Sequence, residues 1–270
     1  MEKRTFELWT GKPPLAIEGA EIPVMTYYRA ERRSSRGAVI IFAGGAYMHR
    51  AVHEGEGYAL YLNEIGIDAF VVDYRVLPYR FPAALIDARR AIRVVKSLAK
   101  ELDLDEGRLA VMGSSAGGHL AAMAASYRGR LDGEGEDATD EIDESVAGQI
   151  LCYPVLDSIG HRGSYVNLFG EDDLTEENLK AATPSTHVGE HTPPSFIWHT
   201  SSDPGVNVGN TYRYADALSK ASIPVELHVY PIGNHGLGLA NREGAGRNVP
   251  YVQRWAEELR RWLDLNGFMN

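Results

Sequence analysis

At 270 residues, 44% of them hydrophobic and 24% charged, the chain is long enough to bury a full core and ordinary in composition for a globular protein. Of its formal net charge of −10, eight acidic residues and no basic one lie between Asp132 and Glu144, and the remainder carries −2, nearly neutral, so nucleic acid, whose phosphates need a basic surface, is not expected as a partner. No apolar run reaches the ~18 residues of a membrane span, the one cysteine, Cys152, permits no internal disulfide, and Met1–Trp9 leads into no apolar segment, so the expectation is a cytoplasmic protein with no membrane partner.

In chain order, Thr5–Trp9 and Val24–Arg29 read as extended segments that could add antiparallel strands at one sheet edge. Ala38–Phe42 and Ala69–Val72 are almost continuously apolar, as strands buried on both faces should be. Leu85, Ala88, Ile92, Val95, Ala99 and Leu102 then step by three or four and draw one apolar stripe along a helix. Further strands are expected at Leu109–Met112, Gly148–Cys152 and Ser195–His199, and a helix from about Asn207 to Ala221. Val225–Val229 alternates with polar residues and belongs nearer an edge. Val252, Trp255, Ala256, Leu259, Trp262 and Leu263 form a last helical stripe, with Pro250 in its first turn.

Strands alternating with helices predict an α/β fold: a mainly parallel central sheet with helices on both faces. With no internal repeat and no linker, residues 1–270 are expected to form a single domain without a large cap. The acidic, glycine-studded run from Asp132 to Glu144 is expected to be a solvated loop; its spacing does not match a calcium-binding EF-hand loop.

The chemistry begins at Gly113-Ser114-Ser115-Ala116-Gly117, set between the Leu109–Met112 strand and the helix-forming Leu120–Ala125. Strand, tight G-x-S-x-G turn and helix are the setting of a nucleophile elbow, in which side chains at the glycines would strike backbone. The turn would lift Ser115 above the sheet beside the free N–H groups of the helix start. A serine needs a base; His235 lies on a loop after Val225–Val229 and can reach over the sheet edge, whereas His228 is fixed within that strand and His119 follows the elbow too closely. The acid that orients the base follows a strand as well, and Asp203 is favoured over Asp157. The order Ser115, Asp203, His235 is that of the α/β-hydrolase fold. Gly44-Gly45-Ala46-Tyr47, directly after Ala38–Phe42, could bring further backbone N–H groups to a substrate oxygen. For a metal site, His49 and His53 are four apart beside Glu54 but show no evident third ligand, and His187 and His191 sit among Thr, Pro and Gly where helical spacing means little, so neither metal nor cofactor is expected. Cys152 reads as core.

At these residues the chain resembles the acetyl esterase and acetyl-xylan-esterase-like branch of the α/β hydrolases. The resemblance runs through Gly44–Tyr47, Asp73-Tyr74-Arg75, Arg80-Phe81-Pro82-Ala83, Gly113–His119, Trp198–Asp203 and Gly233–Leu237. It implies a triad of Ser115, Asp203 and His235, weighing against Asp157, and oxyanion donors at the backbone N–H groups of Gly45, Ala46 and Ala116. Ala43 and Ala46 depart from the family's usual proline and third glycine. The expected activity is hydrolysis of short acyl esters, acetyl above all, with an acetylated carbohydrate as the small-molecule substrate; the oligomeric state is left open. A small amide, lactone or peptide substrate would use the same groups, and a silent ligand-binding module would be expected to have lost one of them.

Overall fold

The computed structural model describes residues 2–19, 22–131, 134 and 137–269; Asp132 and Glu136 of the acidic run lie outside the described residues. Strands and helices follow in the order β1 (Lys3–Glu7), β2 (Val24–Tyr28), β3 (Ala38–Phe42), α1 (Val52–Glu64), β4 (Asp68–Asp73), α2 (Ala83–Leu102), β5 (Leu109–Ser114) and α3 (Ser115–Ser126). They continue with β6 (Gly148–Cys152), α4 (Arg162–Phe169), α5 (Glu176–Ala181), β7 (Ser195–Thr200), α6 (Gly209–Lys220), β8 (Val225–Tyr230), α7 (Arg242–Ala245) and α8 (Pro250–Leu265). The strands form one eight-stranded sheet in the order β1-β2-β4-β3-β5-β6-β7-β8. β1 and β2 are antiparallel additions at one edge, and the others run parallel. This is the α/β-hydrolase architecture. β8 is the far edge, as its alternating polarity requires.

The near-continuous apolar strands divide by pleat between two cores. Ile40, Phe42, Val111, Leu151 and Ile197 face one layer, which includes α2, α3 and α6. Val39, Ile41, Ala110, Met112, Ile150 and Trp198 face the other, with α1 and α8. The period of two in a strand thus fills both sides of the sheet from one sequence run. In α8 the stripe Val252, Trp255, Leu259, Trp262 and Leu263 is buried, each full side-chain burial stabilising by roughly 1.5–3 kcal/mol. β1 ends at Glu7, two residues short of the expected Trp9. That indole instead turns inward, donating to the buried Asp87 at 3.2 Å beneath the Arg90 guanidinium.

One expectation is corrected. Residues 137–144 are not a free solvated loop but lie along the basic face of α2. Arg90 forks onto Asp137 at 2.6 and 2.7 Å and reaches Asp140 at 3.1 Å. Arg93 and Arg89 hold Glu144, each at 2.7 Å, and Lys96 meets Asp143 at 3.0 Å. The acidic residues find cations one helical turn apart, and the attraction outweighs their solvation. Among the described residues no helix is long and apolar enough to cross a membrane.

Candidate active site

Because β3, β5, β6, β7 and β8 run in parallel, the loops leaving their C-terminal ends gather along one edge of the sheet, where α/β folds place their sites. Ser115 sits at the tip of β5 with φ +52°, a left-handed conformation that costs a non-glycine residue about 1–2 kcal/mol. The sharpness of the turn is what the glycines permit. A Cβ on Gly117 would stand 2.0 Å from the carbonyl oxygen of Phe42, and one on Gly113 2.0 Å from that of Gly117. No side chain fits at either position.

The structure brings together the three side chains expected to act. Asp203, in the loop after β7, takes the His235 ring at Nδ1, 2.8 Å away. A carboxylate accepts hydrogen bonds, so the proton lies on Nδ1, and Nε2 is free to accept from the Ser115 hydroxyl at 2.7 Å. Asp203 is buried to 0% side-chain exposure, whereas His235 retains 25%. Burial alone would raise the Asp203 pKa, but hydrogen bonds from His199 and His235 outweigh it and hold the carboxyl well below its ordinary value. The backbone N–H groups of Gly205 and Val206 add two more bonds, at 2.8 and 3.0 Å.

Asp157, the rival acid, lies elsewhere: it pairs with Arg213 at 2.6 Å and accepts from the Gly160 amide at 2.7 Å. His228 pairs with Glu226 on β8 at 2.8 Å. His119 is buried between Tyr47 and the Ala182 carbonyl, both at 2.6 Å, and burial lowers its pKa to about 4. His187 and His191 bond to the carbonyls of Ala181 and Ser126. His53 donates to the carbonyl of Gly236 at 3.0 Å. Cys152 is buried, and that burial pushes its thiol up to about 12.

The turn after β3 packs directly on the elbow: a Cβ on Gly44 would lie 3.1 Å from that of Ser115. Gly45, Ala46 and Tyr47 all have positive φ, +134°, +53° and +62°, so the two non-glycine residues, Ala46 and Tyr47, carry strain. Several bonds offset it. The carbonyl of Ala43 accepts from Tyr74, that of Ala46 from Asn167, and that of Tyr47 from the Leu77 amide, at 2.6, 2.8 and 2.8 Å. The Gly44 amide donates to Glu54 at 2.8 Å. These bonds fix the turn's backbone beside the elbow.

Two residues at the site escape a reading of the sequence. His199 points from β7 to Asp203 at 3.3 Å and to the Val206 carbonyl at 3.1 Å, with Thr211 on its other nitrogen at 2.8 Å. Its position four residues before the acid, on a buried strand, is the signal that could have found it. Glu54 offers no comparable local signal, since its partners lie in distant loops.

The family described as BD-FAE matches the chain over residues 25–218. Endo-1,4-β-xylanase B of Butyrivibrio fibrisolvens is 33% identical over 228 residues, covering 82% of this chain and 36% of that protein. Acetylxylan esterase of Xylanibacter ruminicola is 28% identical over 245 residues, covering 88% and 47%. The chain therefore spans less than half the length of these curated relatives. Among solved structures, the acetyl ester-xyloside bifunctional hydrolase from Caldicellulosiruptor lactoaceticus is 38% identical with a TM-score of 0.91, covering 99% of this chain and 97% of the other.

Proposed function

The chain belongs to the BD-FAE family and has the α/β-hydrolase fold of carboxylic ester hydrolases, and from that premise we propose that it is a serine esterase releasing short acyl groups, acetyl above all, from acetylated carbohydrates such as xylo-oligosaccharides. The observation that carries the reading is the continuous hydrogen-bonded line from Ser115 through His235 to Asp203, with the serine held in the elbow.

In this reading Ser115 Oγ attacks the ester carbonyl carbon as its proton passes to His235 Nε2. The carbonyl oxygen becomes an oxyanion beside the backbone amides of Gly45, Ala46 and Ala116, and the loss of one such donor typically costs ~3 kcal/mol of transition-state stabilisation. Asp203 stabilises the imidazolium. Collapse of the intermediate expels the alcohol oxygen, which takes the proton from His235 and leaves the acyl group on Ser115. Water then gives a proton to His235 and attacks the acyl carbon; carboxylic acid departs and Ser115 recovers its proton. No cofactor is called on. The acetylated sugar as substrate draws support from two similar proteins, one called an acetylxylan esterase and one an acetyl ester-xyloside hydrolase.

The test is acetate release from acetylated xylo-oligosaccharides, followed by mass spectrometry beside p-nitrophenyl esters of increasing chain length. The expected result is one acetate per free hydroxyl formed, falling by about 10⁶ in Ser115→Ala. Full activity in that variant, or an absence of acetate from every acetylated sugar tried, would sink the proposal.

A further inference from the structure

The first turn of α1 holds a His-Glu pair, His53 and Glu54, that the chemistry above leaves unused. Glu54 is a carboxylate buried to 3% exposure, and both its oxygens are engaged. Oε2 accepts from the Gly44 amide at 2.8 Å. Oε1 accepts from the Tyr153 hydroxyl at 2.7 Å. That hydroxyl in turn accepts from the Gly238 amide at 2.8 Å, three residues beyond His235, and the Tyr153 ring stands edge-on to the His235 imidazole at 5.1 Å and 75°. Next door, His53 donates to the carbonyl of Gly236 at 3.0 Å. One helical turn therefore grips two separate loops, the Gly44–Tyr47 turn and the loop that carries His235.

We propose that Glu54 is a positioning residue that sets the oxyanion turn and the His235 loop in register with each other, through Gly44 on one side and Tyr153 on the other. The inference rests on the esterase reading of Ser115 and His235. Its physical basis is geometric. Glu54 occupies the Gly44 amide, the first of the turn, and so fixes the direction in which those of Gly45 and Ala46 point. Tyr153 is well placed as the other arm, because burial first and the neighbouring Glu54 charge second hold its hydroxyl well above its ordinary pKa, in the donating form. The same carboxylate also forbids a side chain at Gly44, whose Cβ would lie 2.5 Å from Oε2.

The groups Glu54 aligns act together only when the tetrahedral intermediate forms, so its loss should lower kcat and leave KM nearly unmoved. Misplacement of a site by about 1 Å can cost on the order of 100-fold. Glu54→Gln keeps the shape but cannot accept at both ends, and Tyr153→Phe removes the second arm alone. Both are compared with Leu259→Ala, a variant of a buried α8 residue that makes no hydrogen bond to either loop through its side chain, with Tm and p-nitrophenyl acetate kinetics measured on all. The expected result is a 10- to 100-fold fall in kcat for Glu54→Gln and Tyr153→Phe, with KM within about twofold and no such fall in Leu259→Ala. If Glu54→Gln does not fold, Tyr153→Phe is judged by the same criterion. A kcat within twofold of wild type, a change confined to KM, or an equal fall in Leu259→Ala would overturn the proposal. Failure of the esterase reading shows differently, as wild-type protein without Ser115-dependent turnover, and would remove the inference with it.

Discussion

At the C-terminal edge of the sheet, Asp203 and Glu54 are carboxylates with 0% and 3% side-chain exposure; on the flank of α2, Asp140, Glu134 and Glu144 are buried almost as deeply, at 1%, 7% and 13%. The two regions differ in what satisfies the charge. Asp203 and Glu54 are met by imidazoles, a phenol and backbone amides, which are neutral donors. The acidic run is met by the guanidinium groups of Arg89, Arg90 and Arg93. Neutral donors lower the cost of burying a carboxylate while leaving its negative charge in place, so its field can act on His235 when the ring takes up a proton. Guanidinium groups cancel the charge. A buried acid surrounded by neutral donors is therefore suited to chemistry, and one surrounded by arginines to holding the fold.

The sharpest way to break that contrast is to remove the charge and keep the shape. Asp203→Asn should lower kcat by about 10⁴, because the amide favours the wrong tautomer of His235 and cannot stabilise the imidazolium. Circular dichroism should show an unchanged fold. A loss smaller than tenfold would mean that the charge at Asp203 is not what the site uses. Asp140→Ala, which removes the acceptors as well as the charge, is the counterpart on α2. It should cost about 3 kcal/mol in urea unfolding, toward the lower end for a broken buried pair, because Arg90 keeps Asp137 and Arg93 keeps Glu144. Its kcat should stay within twofold of wild type. A tenfold fall in kcat with unchanged stability would erase the distinction between the regions.

What could be read from the sequence divides along a similar line. The elbow was legible because its determinants are contiguous: an apolar strand, two glycines around Ser115 and a helix. The sheet and its two antiparallel edge strands were legible because period-two burial is written into each run. His235 could be placed by the strand it follows, whereas following a strand left Asp157 in competition with Asp203 until the family resemblance weighed against it. Glu54 could not be placed, since Tyr153 lies 99 positions away and only folding sets them side by side. The acidic run misleads for a related reason. Taken alone it is a solvated charge cluster; its fate depends on Arg89, Arg90, Arg93 and Lys96, spaced along the face of α2 beside the apolar stripe that the periodicity reveals. Local pattern reveals an element and its buried face, whereas the partner of a polar side chain is a property of the tertiary fold.

The smallest effect concerns the rim of the α2 region, where the charge is only partly hidden. The hydrogen bonds from Arg90 are the main cause that lowers the Asp137 pKa to about 2, against a burial that would raise it; an unfolded chain would restore it to about 3.9. A carboxylate depressed in the folded state gives stability that is fully present above its unfolded pKa and is lost as the pH falls through the folded value. The window for Asp137 is therefore from about pH 4 down to about 2. Its side chain is 37% exposed, so solvent screening limits the contribution to about 1 kcal/mol or less. In urea unfolding, wild type should exceed Asp137→Asn by that small amount at pH 5, and the gap should close on acidification toward pH 2. Asp203, depressed in the same direction, is present in both proteins and cancels from the difference. A gap that stays constant with pH would show that Asp137 acts through the shape of its hydrogen bonds to Arg90 and the Thr139 amide. The division between charge kept for chemistry and charge cancelled for structure would then fail at its own edge.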